Sequence, residues 1–240
     1  MRRILFTTPL LVLSALAAAA GSSAAHHAVI CPGEAGIGCC PPLAHCCAGI
    51  VPQQCPTLTI AASPDPSLEG KRVKISGQLF GTSSVSHVKI VLWEKLAKQH
   101  SFHRVLSTRT NSGGHYSIVR RAGAVKTNRA WYVVANGLRS ATVHERVRSR
   151  LTLTDSIKSA SNGERVTFHG QVTPAHPGQH VVIQQRTSNG WSRLTSGVLD
   201  SASRYTIAYR FTVAHQTQVR AVLGGDARNV RSFSKTVTLF

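Results

Sequence analysis

The feature that most constrains this chain is a short stretch that occurs twice. Residues 69–78 read EGKRVKISGQ and residues 162–171 read NGERVTFHGQ, at a spacing of 93 residues. In both stretches apolar residues alternate with polar ones, which is typical of a β-strand with one buried face. Gly70 and Gly163 suit the turn that leads into each strand. The duplication therefore predicts two copies of one β-rich module.

Alternating segments of this kind recur through both copies and are separated by clusters of Gly, Ser, Asn and Pro. Short alternating strands between turn residues indicate an antiparallel immunoglobulin-like (Ig-like) sandwich. The first copy offers strands near 57–62, 72–79, 87–94, 103–108, 115–120, 130–135 and 140–147. The second offers strands near 150–155, 165–172, 180–186, 191–198, 204–211, 218–223 and 232–239.

We therefore expect an all-β chain of two tandem Ig-like antiparallel β-sandwiches, over residues 57–147 and 150–240. Because only Arg148 and Ser149 separate them, we expect end-to-end packing with little hinge freedom.

The shared pattern G-x-R-V-x-I-x-G-Q, then V-x-I, then W-x-x-L, resembles the Ig-like, fibronectin-like repeats of exported actinobacterial proteins. The second copy fits best, with GWSRL at 190–194 and VRAVLGG at 219–225, although Phe168 replaces Ile. The first copy has Phe102 at the tryptophan position. The resemblance implies a sandwich fold and an extracellular setting. It implies no activity, since such repeats serve as spacers, adhesion modules and accessory binding domains.

The first 25 residues have the layout of a secretory signal peptide. Arg2 and Arg3 precede a short apolar run, and small residues follow at 20–25. We expect this segment to be cleaved, leaving a mature protein that is secreted or associated with the cell surface and has no transmembrane segment.

Residues 26–56 form a cysteine-rich segment. An even number of closely spaced cysteines in an exported chain indicates disulfides, and six cysteines allow 15 pairings. A metal cluster with His45 is the alternative. His26 and His27, near a new amino terminus, are candidate Cu(II) or Ni(II) ligands. The other interpretation makes them incidental residues. The disulfide candidates are Cys31, Cys39, Cys40, Cys46, Cys47 and Cys55.

The charge of the chain is strongly positive. Lys and Arg number 28 against 9 Asp and Glu, for a net charge of +19 at neutral pH. Such a charge attracts polyanions, including nucleic acid, anionic cell-wall polymers and lipid headgroups. A role in solubility alone is the competing interpretation. The basic residues are scattered, and no motif for sequence-specific nucleic-acid recognition occurs.

The sequence does not favour catalysis. Acidic residues are few, and none of the usual nucleophile, zinc or phosphate-loop motifs is present. Glu69 and Glu164 are expected to be solvated at turns, and Asp155 and Asp200 to form turns. We therefore expect a protein that is not an enzyme and uses no cofactor.

The aromatic residues supply the candidate binding site. Tyr116, Tyr205 and Trp191 occupy positions that are aromatic in both copies, so we expect them to pack in the core or across hairpins. Trp93 has no aromatic counterpart, because Arg186 stands at that position of the second copy. It is the best candidate for an exposed aromatic side chain. The candidate ligand-binding residues are Trp93, Lys95, Lys98 and Arg104.

Leader, repeat and charge together predict an exported, non-catalytic adhesion or binding protein at the cell envelope that contacts anionic wall polymers. Two alternatives remain open. One is a structural spacer that presents the cysteine-rich segment, and the other is a carbohydrate-binding accessory module.

Overall fold

A computed structural model of the chain describes residues 56–156, 163–212 and 216–239. The predicted signal peptide, the six cysteines, and His26 and His27 lie outside the described residues. The strands of the first copy are β1 (Thr57–Leu58), β2 (Ala61–Ser63), β3 (Ser67–Leu68), β4 (Val73–Phe80), β5 (Lys89–Leu96), β6 (His103–Arg109), β7 (His115–Arg120), β8 (Arg129–Ala135), β9 (Leu138–Arg139), β10 (Val143–Glu145) and β11 (Val147–Arg148).

The second copy repeats this order of long and short strands. Its strands are β12 (Arg150–Leu151), β13 (Thr154–Asp155), β14 (Arg165–Thr173), β15 (His180–Thr187), β16 (Gly190–Val198), β17 (Arg204–Arg210), β18 (Thr217–Leu223), β19 (Ser232–Phe233) and β20 (Val237–Leu239).

Each copy contains two facing antiparallel sheets, and in the first copy β3 and β11 form an additional parallel pair. In the first copy, β4 pairs with β1, β2 and β7, and in the facing sheet β5 lies between β6 and β8, which also pairs with β9 and β10. In the second copy, β14 pairs with β12, β13 and β17, and β15 lies between β16 and β18, which also pairs with β19 and β20. The two architectures are Ig-like sandwiches, which confirms the predicted fold class. The facing sheets are named the β5 sheet and the β15 sheet below.

The predicted strands agree with the structure except near their ends. The third strand of the first copy begins at Lys89, not at His87, because His87 has a φ of 58° and lies in a turn. The first and last predicted strands of each copy are interrupted, as where β10 and β11 replace the predicted strand 140–147.

Alternation places the repeated stretch in the two cores. Val73 and Ile75 are fully buried in the first core, and Val166 and Phe168 are fully buried in the second. The turn preceding each strand uses positive φ, 74° at Gly70 and 79° at Gly163, as the sequence predicted. The repeated stretch is thus a structural element of both sandwiches.

A buried tyrosine explains the second glycine of the repeat. The Tyr116 hydroxyl donates a hydrogen bond of 2.6 Å to the Thr59 carbonyl oxygen. A Cβ at Gly77 would overlap that carbonyl and lie 2.6 Å from the tyrosine oxygen. Real Cβ atoms are essentially never that close, so only glycine lets the Thr59 backbone, β4 and the tyrosine meet.

The second sandwich repeats this contact. The Tyr205 hydroxyl donates to the Thr152 carbonyl oxygen at 2.7 Å, and Gly170 stands where a Cβ would meet both groups. Burial raises the pKa of both tyrosine hydroxyls, so both remain protonated donors at neutral pH. The prediction that both tyrosines pack in the cores is confirmed, since they are 4% and 2% exposed.

Hydrogen bonds join the two sandwiches end to end. The Asn229 side chain donates to the Lys126 carbonyl oxygen at 2.9 Å, and the Asn128 backbone N–H donates to the Arg228 carbonyl oxygen at 2.6 Å. At the connection itself, the Ser149 N–H donates to the Ser232 hydroxyl at 2.8 Å. Several directional bonds between the two bodies restrict rotation about the short connection.

The expectation for Glu69 was wrong. This residue is 5% exposed, and its carboxylate lies 3.7 Å from Arg150 of the second sandwich. The sequence placed Glu69 at a turn but could not show that the other sandwich covers this turn. Asp200 does form a turn as predicted, since its carboxylate accepts hydrogen bonds from the backbone N–H groups of Ala202 and Arg204. The same prediction for Asp155 was wrong, because this residue lies in β13 and pairs with Phe168.

Candidate functional site

The four predicted ligand-binding residues lie along one hairpin of the first sandwich. Trp93 and Lys95 are on β5, and Arg104 is on β6. Lys98 lies between the two strands with a φ of 71°. Lys98 and Arg104 are exposed, whereas Trp93 and Lys95 are half-buried. The structure therefore brings these residues to the outer side of the β5 sheet and its hairpin turn.

Trp93 belongs to a row of side chains that crosses the β5 sheet. Its register partners are Tyr132 on β8 and Arg104 on β6. The rings of Trp93 and Tyr132 stack with 5.9 Å between centroids and 10° between planes. At the other end, the Arg139 guanidinium lies 3.9 Å from the centre of the Tyr132 ring. We name Arg139, Tyr132, Trp93 and Arg104 the first aromatic row.

Phe102 and Lys95 extend this row along the strands. The Phe102 ring lies 4.7 Å from the Tyr132 ring, tilted by 58°, and the Lys95 Nζ lies 5.2 Å from the centre of Phe102. Beyond Lys95 is an open groove of about 370 Å³. The basic residues lining this groove are Lys95, Lys98, Arg129, His144 and Arg146, and the buried Glu145 also lines it. The aromatic row and the groove thus form one continuous surface, named the first outer face.

The only acidic residue of β5 points away from this face. Glu94 is 7% exposed, and its carboxylate accepts hydrogen bonds from Arg129 at 2.9 Å and from the Trp131 indole at 3.0 Å. Burial lowers the pKa of Arg129, while the charge of Glu94 opposes that effect. Because successive side chains of a strand point to opposite sides, Trp93 and Lys95 face outward while Glu94 faces inward.

The β15 sheet carries a different row. Arg220 on β18 lies with its guanidinium 4.1 Å from the centre of Trp191 and 4.5 Å from the centre of Phe233. Arg186 lies 5.6 Å from Trp191, and Arg231 lies 5.4 Å from Phe233. We name these five residues the second aromatic row. Each of its aromatic rings contacts two cations.

Arg220 is the centre of the second row. Its Nε donates a hydrogen bond of 3.0 Å to the Gln184 side-chain oxygen on β15. Partial burial and the neighbouring charges of Arg231 and Arg186 lower its pKa. Three like charges are tolerated here because the negative faces of the two rings attract them.

The structure refines the interpretation of Trp191. It is half-buried on the β15 sheet and packs on Arg186, its register partner across the β15–β16 hairpin. The hairpin-packing alternative is therefore the one that holds. The fully buried tryptophan is Trp131 of the first core.

Sequence reasoning missed Tyr132, Phe102 and Arg139 as members of the first outer face. Tyr132 alternates with the buried Trp131, so period-two alternation alone could have placed it outside. Phe102 and Arg139 lie on other segments, and only the register of β5, β6, β8 and β9 brings them to Trp93 and Tyr132.

Within the described ranges, no group of three or more His, Cys, Asp and Glu residues is arranged to hold a metal ion. Residues 56–156, 163–212 and 216–239 also contain no helix long and apolar enough to cross a membrane.

Three solved structures align with this chain at low TM-scores. The tetra-tandem repeat in the extending region of a large adhesion protein is 15% identical, with 78% of this chain covered and a TM-score of 0.36. The chain spans 50% of that structure's length. The D0-D1 domain of intimin is 13% identical, with 76% of this chain and 97% of that chain covered and a TM-score of 0.28.

The chicken interferon gamma receptor alpha chain is 10% identical, with 77% of this chain and 97% of that chain covered and a TM-score of 0.40. No protein-family model matches the sequence, and no curated protein matches it. The class that the fold defines is a tandem Ig-like β-sandwich protein. Its function must be inferred from its own side chains.

Proposed function

We propose that this chain is an exported, non-catalytic binding protein of the cell envelope, whose basic sandwiches attach to anionic wall polymers. In this proposal residues 1–25 are the cleaved leader, 26–56 are a disulfide-linked segment, and 57–147 and 150–240 are the two binding modules. The net charge of +19 provides the long-range attraction.

The observation that supports the proposal is the unequal placement of charges. Acidic side chains are used within the fold, as in the ion pair of Glu94 with Arg129 at 2.9 Å and that of Asp65 with Arg146 at 3.1 Å. Asp226 caps its own loop by accepting hydrogen bonds from the backbone N–H groups of Arg228 and Asn229. The outward sides of the strands therefore present mainly basic and neutral groups. Such a surface favours an anionic polymer over a neutral one.

Sedimentation with purified cell walls tests this proposal. The mature protein is expected to sediment with walls at low salt and to be released as the ionic strength rises, because salt screens exposed charges. Walls from which the anionic polymers have been extracted are the matched control and should retain much less protein. A protein that stays in solution with intact walls at low salt would overturn the proposal.

A second candidate function is a spacer that presents the cysteine-rich segment. The observation that favours it is the hydrogen-bonded connection, in which Asn128, Asn229 and Ser149 hold the two sandwiches together. A restricted connection suits a rod of fixed shape.

Deletion of residues 26–56 separates the two functions. If the sandwiches bind the wall, the deleted protein should sediment as the full mature chain does. If they act as a spacer, all binding should be lost with the deleted segment.

A further inference from the structure

We propose that the first outer face is a binding site for a polysaccharide chain whose sugars carry anionic groups. This inference rests on the proposed function and gives it a specific site and a class of ligand. It concerns the first aromatic row and the adjoining groove, and it excludes the second aromatic row.

The aromatic pair supplies the stacking surface. Trp93 and Tyr132 are half-buried, and their rings lie only 10° from parallel. Among the described residues, the cation contacts of this face fall on Tyr132 and Phe102, not on Trp93. A half-buried indole that stacks on Tyr132 but on no cation can accept the apolar C–H side of a sugar ring on its remaining face, because the partly positive hydrogens meet its negative π-face.

The flanking cations supply selectivity for an acidic sugar. Arg104 is the register partner of Trp93 on β6, and Arg139 lies beyond Tyr132 on the opposite side. The strands of the β5 sheet contribute no outward carboxylate, since Glu94 and Glu145 are both buried. Guanidinium groups bind carboxylates and phosphates through paired hydrogen bonds. A charged group on a sugar stacked at Trp93 would therefore meet a cation on either side.

The groove indicates a chain, not a single sugar. Lys95 contacts Phe102, which packs on Tyr132 of the first aromatic row, and it also lines the groove of about 370 Å³. Lys98 and His144 continue the basic lining, whereas Arg146 at the same groove is paired with Asp65. A polymer stacked at Trp93 could thus place further anionic groups along the groove, and several weak contacts on one chain add to its affinity.

The second aromatic row is already engaged by the protein's own cations. Trp191 contacts Arg220 and Arg186, and Phe233 contacts Arg220 and Arg231. A sugar would have to displace these guanidinium groups before it could stack. Trp191 is therefore the matched control for Trp93 within the same chain.

The test compares polygalacturonate, neutral dextran and inorganic polyphosphate as ligands of the full mature protein at about 0.3 M salt, where charge alone contributes less. Wild type is expected to bind polygalacturonate more tightly than either other polymer. Trp93→Ala should weaken polygalacturonate binding about fivefold, since lost aromatic stacking is worth about 1 kcal/mol, and should change polyphosphate binding less than about twofold. Trp191→Ala should change both less than about twofold.

Trp93→Phe keeps an aromatic ring and should lose less affinity than Trp93→Ala. Circular dichroism of both variants shows whether either substitution impairs folding. Equal losses for Trp93→Ala and Trp191→Ala, or no loss for Trp93→Ala, would overturn the inference. A third outcome would also overturn the inference: the wild type binds walls and polyphosphate but binds polygalacturonate no more tightly than dextran. That outcome would leave the proposed function intact. Wild type that binds no polyanion would overturn both.

Discussion

The two outer sheets of this protein carry the same kinds of side chain in opposite order. Across the β5 sheet, two aromatic rings, Tyr132 and Trp93, lie in the middle with arginines at the ends. Across the β15 sheet, Arg220 lies in the middle with Trp191 and Phe233 at the ends. A central arginine contacts both flanking rings, whereas a central aromatic pair leaves a ring without a stacked cation. The order of the side chains therefore decides whether the aromatic rings of a row contact the protein's own cations or can contact a ligand.

The difference arises at equivalent strand positions. Val134 lies opposite Val91 in the first sandwich, and Arg220 lies opposite Gln184 in the second. Positions 91 and 184 are related by the repeat spacing of 93. At this shared site the first sandwich has valine and the second has arginine, and this difference adds to that between Trp93 and Arg186. Duplication has kept the fold and changed the surface.

Glu94→Gln should have the largest effect and should be confined to the first sandwich. The substitution leaves the buried Arg129 without its charge partner, which costs about 3–5 kcal/mol in the free energy of unfolding. Thr187 occupies the corresponding position of the second sandwich, so Thr187→Val is the control and should cost less than about 1 kcal/mol. Hydrogen exchange of β8 and β18 peptides measures each sandwich within the whole chain. Equal protection of β8 in Glu94→Gln and wild type would contradict the prediction.

Arg220→Val should destabilise the second sandwich by about 1–2 kcal/mol, because it removes contacts with two rings and the hydrogen bond to Gln184. The reciprocal change, Val134→Arg, should alter the free energy of unfolding of the first sandwich by less than about 0.5 kcal/mol. Position 134 is half-buried and does not lie between two aromatic rings as Arg220 does. Exchange of β18 and β8 amides again supplies the measurement. If Val134→Arg lost more stability than Arg220→Val, the proposed distinction between the two rows would be wrong.

Tyr116→Phe and Tyr205→Phe should have equal effects, about 1 kcal/mol each, because each removes the same hydrogen bond to the backbone carbonyl that directly follows the first strand of its sandwich. These two substitutions test a contact that both sandwiches share, whereas the preceding substitutions test positions at which the sandwiches differ. Urea unfolding followed by exchange of β4 and β14 amides would measure both variants. Unequal losses would show that the two tyrosine contacts are not energetically equivalent.

Arg139→Lys should have the smallest effect, a loss of about 0.5 kcal/mol in the first sandwich, because lysine keeps the charge but stacks less well on Tyr132. Arg231→Lys is the matched substitution at the edge of the second row and should behave alike. Thermal unfolding of each variant measures the change. Stabilisation by Arg139→Lys would contradict a favourable stacking contact at Tyr132.

Much of the fold could be predicted because its signals are local. Alternation placed Val73, Ile75, Val166 and Phe168 in the cores, and all four are fully buried. The candidate site was predictable only in part. Trp93 stood out because the two copies differ there, yet its stacking partner Tyr132 is far along the chain and meets it only through the pairing of β5 with β8.

The errors have the same origin. Glu69 was expected in solvent and is buried against Arg150, since a turn residue shows nothing in its own sequence about a neighbouring sandwich. Residues of one strand reveal which of them share a side, but not which strand lies beside them.

By itself, the sequence determined the duplication, the strand periodicity, the glycines at the turns and the excess of positive charge, because each depends on residues close together in the chain or on composition. The tertiary structure decided which side chains form a surface. It placed Arg220 between two rings, left Trp93 beside Tyr132, and turned Glu94 toward Arg129 and Trp131. Those outcomes depend on register between distant strands, and register is set by the packing of the whole sandwich.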